Sequence, residues 1–183
     1  AAPIIVKPAI AEQFENFIKN GRILFFSAPC GFGKTTLTDA LLKGKRGYKV
    51  RRLNAGTDDI SRIFEDTGAS AGDRESRKAQ GKDTDWDVLV IDDLQMLQEE
   101  SDWQLLCELI RARADRHFVL LSRGVPPGSL MAFRYTGLMT VLQAEDLLFD
   151  GDDIRKALNA YNVTVTDSEL HAIQKESIGY PLG

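Results

Sequence analysis

The chain has 183 residues, 43% of them apolar and 27% charged. That composition excludes a mainly disordered chain and leaves apolar material for one core. The 23 basic residues against 27 acidic ones give a net charge of −4, which argues against a phosphate-backbone binder.

Ile10, Phe14, Phe17 and Ile18 share one helical face, with Pro8 suited to its start and Gly21 to its stop. Ile23 to Ala28 reads as a buried strand running into the loop Pro29-Cys30-Gly31-Phe32-Gly33. Lys34 to Lys43 is a predicted helix, with Leu37, Ala40 and Leu41 on one face and Gly44 and Gly47 ending it. Tyr48 to Leu53 is a second strand candidate. Thr57 suits the cap of a helix with Asp58 and Asp59 in its first turn and Ile60, Ile63 and Phe64 on its apolar face. Asp66 to Asp85 is polar and aperiodic, as expected of a mobile loop or a frayed helical excursion.

Val88 to Ile91 reads as a buried parallel strand. Ser101 and Gln104 fit a capping box before a helix carrying Leu106, Leu109, Ile110 and Arg113. Phe118 to Leu121 is another buried strand, Gly124 to Gly128 a Pro-containing loop, and Leu138 to Leu142 a fifth strand. From Phe149 the pattern turns helical. Asp150 and Asp153 make a capping pair, Phe149 and Ile154 fit a hydrophobic staple, and Thr166 and Glu169 repeat the capping pattern before Leu170 and Ile173. Strands alternating with helices predict an α/β three-layer sandwich with a central parallel sheet of about five strands, then the start of a small helical subdomain.

No apolar run approaches about 18 residues, and no basic stretch precedes an apolar one at the N-terminus, so neither a membrane span nor a signal peptide is expected. Cys30 and Cys107, far apart, read as free thiols of a reducing, cytoplasmic compartment.

The sharpest motif is Ala28-Pro29-Cys30-Gly31-Phe32-Gly33-Lys34-Thr35-Thr36, which fits G-x-x-x-x-G-K-[ST] with Ala28 in place of the first glycine. Gly31 and Gly33 let successive backbone N–H groups turn inward to cradle phosphates, and the following helix points its positive end at the same anion. Lys34 is placed to reach the β- and γ-phosphates, and the Thr35 hydroxyl to ligate Mg2+. A buried strand ending in Asp92-Asp93 needs a reason, because unpaired buried charge is expensive. Metal beside the phosphate loop supplies one: Asp92 would hold it, and Asp93 would orient or deprotonate the attacking water. The competing reading is that both carboxylates only cap the next loop. Arg123, just past the strand Phe118 to Leu121, is placed to sense a γ-phosphate, because ligands of parallel sheets sit beyond the carboxyl ends of the strands.

Together these residues resemble the nucleotide-binding domain of the signal-transduction ATPases with numerous domains, and more narrowly the ATPase module of large LuxR-type transcription regulators of the maltose-regulator kind. Ser27 to Thr36 resembles that family's S-A-P-x-G-x-G-K-T-T, and Asp92-Asp93 its D-D. Leu121-Ser122-Arg123 with Pro126-Pro127 resembles its L-S-R and proline loop. Phe133-Arg134, Gly137 and Asp146-Leu147-Leu148-Phe149 follow in the family's order. Gly179-Tyr180-Pro181 is similar to a G-x-P motif whose proline packs near adenine. The resemblance implies ATP or ADP on Pro29 to Lys34 and Thr35, Thr36 close to the α-phosphate, Arg123 as sensor, and Pro181 at the base. It implies a slow regulatory ATPase whose ATP form self-associates, with Arg134 a weaker candidate for a trans-acting arginine. It also implies a fragment of a longer regulator: a P-loop nucleotide-binding domain of P-loop NTPase fold over 1–148, a partial helical lid over 149–183, and DNA contact only through domains outside this chain. An AAA+-like ATPase doing mechanical work on nucleic acid or protein is the alternative, and a binding-only module with dead chemistry a third reading.

The cluster Arg111, Arg113, Arg116 and His117 reads as favourable charge at a helix C-terminus rather than as a DNA contact, and Trp86 and Trp103 as packing. His117 and His171 are isolated and match no zinc spacing.

Overall fold

Five strands, β1 (Ile23–Ser27), β2 (Val50–Asn54), β3 (Val88–Asp92), β4 (His117–Ser122) and β5 (Met139–Gln143), make one parallel sheet in the computed structural model, which describes residues 4–59 and 85–177. The strand order is β2-β3-β4-β1-β5. The runs Ile23 to Phe26, Val88 to Ile91 and Phe118 to Ser122 are buried throughout, as expected of strands covered on both faces. Side chains alternate across the sheet, so Ile23 and Phe25 join one core cluster and Leu24 and Phe26 the other.

The helices are α1 (Pro8–Asn20), α2 (Lys34–Lys43), α3 (Glu100–Ala112), α4 (Gly128–Tyr135), α5 (Ala144–Leu147), α6 (Gly151–Ala160) and α7 (Asp167–Ser177). Ile10, Phe14 and Phe17 of α1 and Leu41 and Leu42 of α2 cover one face. Leu106, Leu109 and Ile110 of α3 and Leu130 and Phe133 of α4 cover the other. The result is the three-layer α/β sandwich that the alternation of elements predicts.

Several elements differ from the expectation. The predicted capping box at Ser101 and Gln104 is absent. α3 starts two residues earlier, with Glu99 as N-cap and no side-chain cap, and Glu100 and Asp102 instead place negative charge at its positive end. Arg113 is its C-cap rather than part of its apolar face, and the Arg22 guanidinium donates to the Ile110 and Arg113 carbonyls there. α4 and α5 are helices where no periodicity is evident. α4 buries only Leu130 and Phe133 and α5 only Leu147, too few positions to establish a 3.6-residue repeat. Thr57 lies in a turn after β2; Ile60, Ile63, Phe64 and most of the 66–85 segment fall outside the described residues.

The capping pairs further on are present. Asp150 and Asp153 exchange backbone and side-chain hydrogen bonds at 2.8 and 3.0 Å, and Thr166 pairs with Glu169 at the start of α7. Lys7 ties this helical region back to the N-terminal segment: its Nζ donates to Leu148 O at 2.7 Å and lies 3.6 Å from the buried Asp153. The basic cluster serves packing. Arg111 sits over Phe133, and Arg116 sits over Trp86 and pairs with Asp87 at 3.2 Å. Trp86 is buried edge-on against Phe118, and Trp103 donates its indole N–H to Leu97 O.

His117 starts β4, with its ring edge-on to Phe17 and Tyr48 and its Nε2–H donating to Ile18 O at 3.1 Å. Burial holds its pKa below the ordinary histidine value, against the opposing effects of the Ile18 carbonyl and Asp87. The folded state thus favours neutral His117. Its contribution to stability is complete above the unfolded value of about 6.5 and is lost as pH falls through the folded value. Urea midpoints are expected to drop between about pH 7.5 and about pH 5.5, and the drop is expected to shrink in His117→Gln.

Candidate functional site

The site lies at the carboxyl ends of the strands. β1 ends at Ser27, and Ala28 is 1% exposed, its methyl packed into the core below the loop. Gly31 (φ 88°) and Gly33 (φ 69°) both adopt the left-handed conformation that a side chain disfavours. Gly33 is the N-cap of α2, where no side chain caps the helix and no acidic residue occupies the first turn. The orphan N–H groups of that turn are therefore available to an anion. Lys34 Nζ donates to Ala28 O at 2.6 Å and Pro29 O at 2.9 Å, folding the ammonium over the loop. Burial lowers its pKa, chiefly opposed by Asp92. Pro29, Cys30, Thr35 and Thr36 are exposed. Phe32 is 5% exposed, and its ring belongs to the core, so only its backbone serves the loop.

Asp92, the last residue of β3, meets the loop directly. Its Oδ2 accepts from the Thr35 hydroxyl at 2.7 Å, and its Oδ1 accepts from the Asp93 N–H at 2.7 Å. Asp93 is one of two non-glycine residues with positive φ among the described residues, at 55°. Its carboxylate is held at both oxygens. Asn54 Nδ2 donates to Oδ2 at 3.0 Å, and Gln95 Nε2 donates to Oδ1 at 2.8 Å. These two bonds, Gln95 first, hold its pKa below the usual carboxylate range, assisted by Arg123 and Lys34. Arg123 Nη2 lies 3.8 Å from the same Oδ1. The Gln95 amide oxygen in turn accepts the Arg123 backbone N–H at 3.1 Å.

Thr35 thus contacts Asp92, and Arg123 faces Asp93, while the Lys34 ammonium contacts the loop carbonyls of Ala28 and Pro29. Thr36 sits beside Thr35 on α2. Arg134 is exposed on α4, and Pro181 falls outside the described residues. Asn54 and Gln95 are absent from the sequence reading. Asn54 stands opposite Asp92 in the β2–β3 register, and Gln95 lies in the 3-10 turn Leu94–Met96. The pairing of β2 with β3 is the signal for Asn54, and sequence alone does not supply it.

Among the described residues no cluster of three or more His, Cys, Asp or Glu side chains is arranged to hold a metal. A single carboxylate with a hydroxyl, both hard oxygen donors, is instead the pattern that suits Mg2+ shared with phosphate oxygens, and Thr35 with Asp92 fits it.

No protein-family model matches the sequence, and no curated protein matches it at a significant level. Solved structures do. AMPPCP-bound DnaA from Aquifex aeolicus superposes with a TM-score of 0.58 at 19% identity, covering 93% of this chain and 57% of that one. A DNA replication initiation factor gives 0.56 at 17% identity, covering 94% and 57%. The RuvB Holliday junction branch migration motor of Thermotoga maritima gives 0.56 at 18%, covering 97% and 58%. The chain therefore has the P-loop NTPase fold of these structures, and it spans a little under three fifths of their length. The narrower likeness to LuxR-type regulators has no counterpart among them. No helix among the described residues is long and apolar enough to cross a membrane.

A Cβ at Gly33 would meet nothing within 4 Å. Gly33→Ala is therefore expected to lose only the backbone cost of its left-handed conformation, about 1–2 kcal/mol of unfolding free energy by urea titration.

Proposed function

We propose that this chain is the Mg-ATP-binding module of a P-loop ATPase of the AAA+ kind, whose hydrolysis drives work on nucleic acid or on a protein bound to it. The single observation that carries the catalytic part is the contact of Thr35 with Asp92, beside an Asp93 held between Asn54, Gln95 and Arg123. In this reading the backbone of Pro29, Cys30, Gly31, Phe32 and Gly33 wraps the phosphates, and Lys34 exchanges its two loop carbonyls for phosphate oxygens. Thr35 and Asp92 would hold Mg2+, which when bound would supply positive charge against the phosphoryl oxygens. Asp93 orients the attacking water and takes its proton, and Arg123 stabilises the γ-phosphate. The names of the similar structures, a replication initiator and a branch migration motor, support work on DNA as the output.

A second reading is favoured by the linked order of Leu121-Ser122-Arg123, Pro126-Pro127 and Asp146 to Phe149. In it the module is a signalling switch of a LuxR-type regulator. Residues 1–148 form the nucleotide domain and 149–183 part of a helical lid, with Pro181 at the base. Hydrolysis is slow, the ATP form self-associates, with Arg134 in trans, and DNA is met by domains outside this chain. The net charge of −4 supports that division of labour. A cytoplasmic setting belongs to both readings.

Calorimetry with MgATP tests the shared core: Lys34→Ala is expected to weaken binding by about a hundredfold or more, and unchanged affinity would overturn the nucleotide reading. Asp93→Asn is expected to keep binding and to lower turnover by about 10²–10⁴-fold; wild-type turnover in that variant would revive a binding-only module. Turnover stimulated by DNA favours the motor. ADP retained through purification, with ATP-dependent self-association in light scattering, favours the switch.

A further inference from the structure

We propose that Gln95 is a positioning residue that couples the Asp93 carboxylate to the backbone of the Arg123 loop, so that hydrolysis is geared to what Arg123 binds. The inference rests on the ATPase reading above and assigns a role within that site. Gln95 is a two-ended tie: one end of its amide donates to Asp93 Oδ1 at 2.8 Å, and the other accepts the Arg123 N–H at 3.1 Å. A primary amide carries donor and acceptor on one rigid plane, which neither a carboxylate nor a hydrocarbon reproduces.

Three features make the tie consequential. First, Oδ1 is also the oxygen that faces Arg123 Nη2 at 3.8 Å, while Asn54 holds Oδ2. Gln95 therefore sets the carboxylate oxygen on the Arg123 side. Second, the tie bridges the segments that follow two adjacent strands, the 3-10 turn after β3 and the loop after β4. Arg123 is the first residue beyond β4, and the next residue, Gly124, is pinned by its N–H to Ser122 Oγ at 3.1 Å. Third, Asp93 stands at φ 55°, a conformation that persists only where surrounding contacts hold it. When the Arg123 side chain engages a γ-phosphate, any shift of its backbone is passed through the Gln95 amide to the group that orients water. Gln95 touches neither water nor phosphate and acts through Asp93.

The test uses the full chain and steady-state ATP turnover beside MgATP calorimetry. Gln95→Leu removes both ends of the tie, and Gln95→Glu keeps the acceptor for the Arg123 N–H while setting a carboxylate against Asp93. Both are expected to lower kcat by about tenfold or more, with ATP affinity within about twofold of wild type. Asp93→Asn combined with either is expected to lose nothing beyond Asp93→Asn alone, because a residue acting through Asp93 has nothing left to position. Wild-type kcat in either variant, or losses that multiply with Asp93→Asn, would overturn the inference while leaving the ATPase reading intact. A wild-type chain that binds MgATP without hydrolysing it would overturn the hydrolytic reading and this inference together. Gln95→Glu, close in size to glutamine, keeps the test decisive if the leucine variant fails to fold.

Discussion

The site depends on one constraint of chain topology: β4 lies between β1 and β3, and all three run parallel. Ile91, Leu120 and Phe25 fall in one row across the sheet, so the three strands end together. Neighbouring strands are about 4.8 Å apart, which leaves Asp92 two strand spacings from the start of the phosphate loop. The first turn of α2 spans that gap and brings the Thr35 hydroxyl to Asp92 at 2.7 Å. The intervening β4 delivers Arg123 between them. Without the insertion of β4, the loop and the acidic pair would abut, and no third strand end would supply a cation.

That geometry also shows how an acidic chain can gather hydrogen-bond donors and cations at one spot. Net charge acts at long range and is screened over about 10 Å, whereas phosphate recognition is decided by donors within hydrogen-bond reach. The free N–H groups at the start of α2, Lys34 and Arg123 supply positive potential locally. The carboxylates that oppose it are engaged: Asp92 by Thr35 and a backbone N–H, Asp93 by Asn54 and Gln95. The acidic pair thus reads as neighbouring counter-charge rather than repulsion.

Much of this was legible from residue order. Continuous apolar runs such as Val88 to Ile91 are unambiguous because a doubly covered strand tolerates nothing else, and a glycine-rich loop before a lysine has few physical uses. What escaped has a physical pattern of its own. The helices at 128–135 and 144–147 bury one or two side chains each, so tertiary contact rather than periodicity holds them. The start of α3 is fixed by charge and packing rather than by a side-chain cap, so Ser101 and Gln104 mimic a signal they do not use. Asn54 and Gln95 are ordinary polar residues in sequence, and only the pairing of β2 with β3 and the turn after Asp93 bring them to the carboxylate.

The same strand order carries a consequence for synthesis of the chain. β1 precedes the other four strands of the described sheet, yet its neighbours are β4 and β5, the last two of the five: Ile23 pairs with both Phe118 and Met139. Until those segments emerge from the ribosome, Leu24, Phe25 and Phe26 have no strand beside them, and α1 and α2 can shelter only one side. Such late closure gives a high contact order and a long interval in which an apolar edge is exposed. The shortest piece of this chain that can pair both edges of β1 must reach through β5, and nascent chains ending earlier are natural clients for a chaperone.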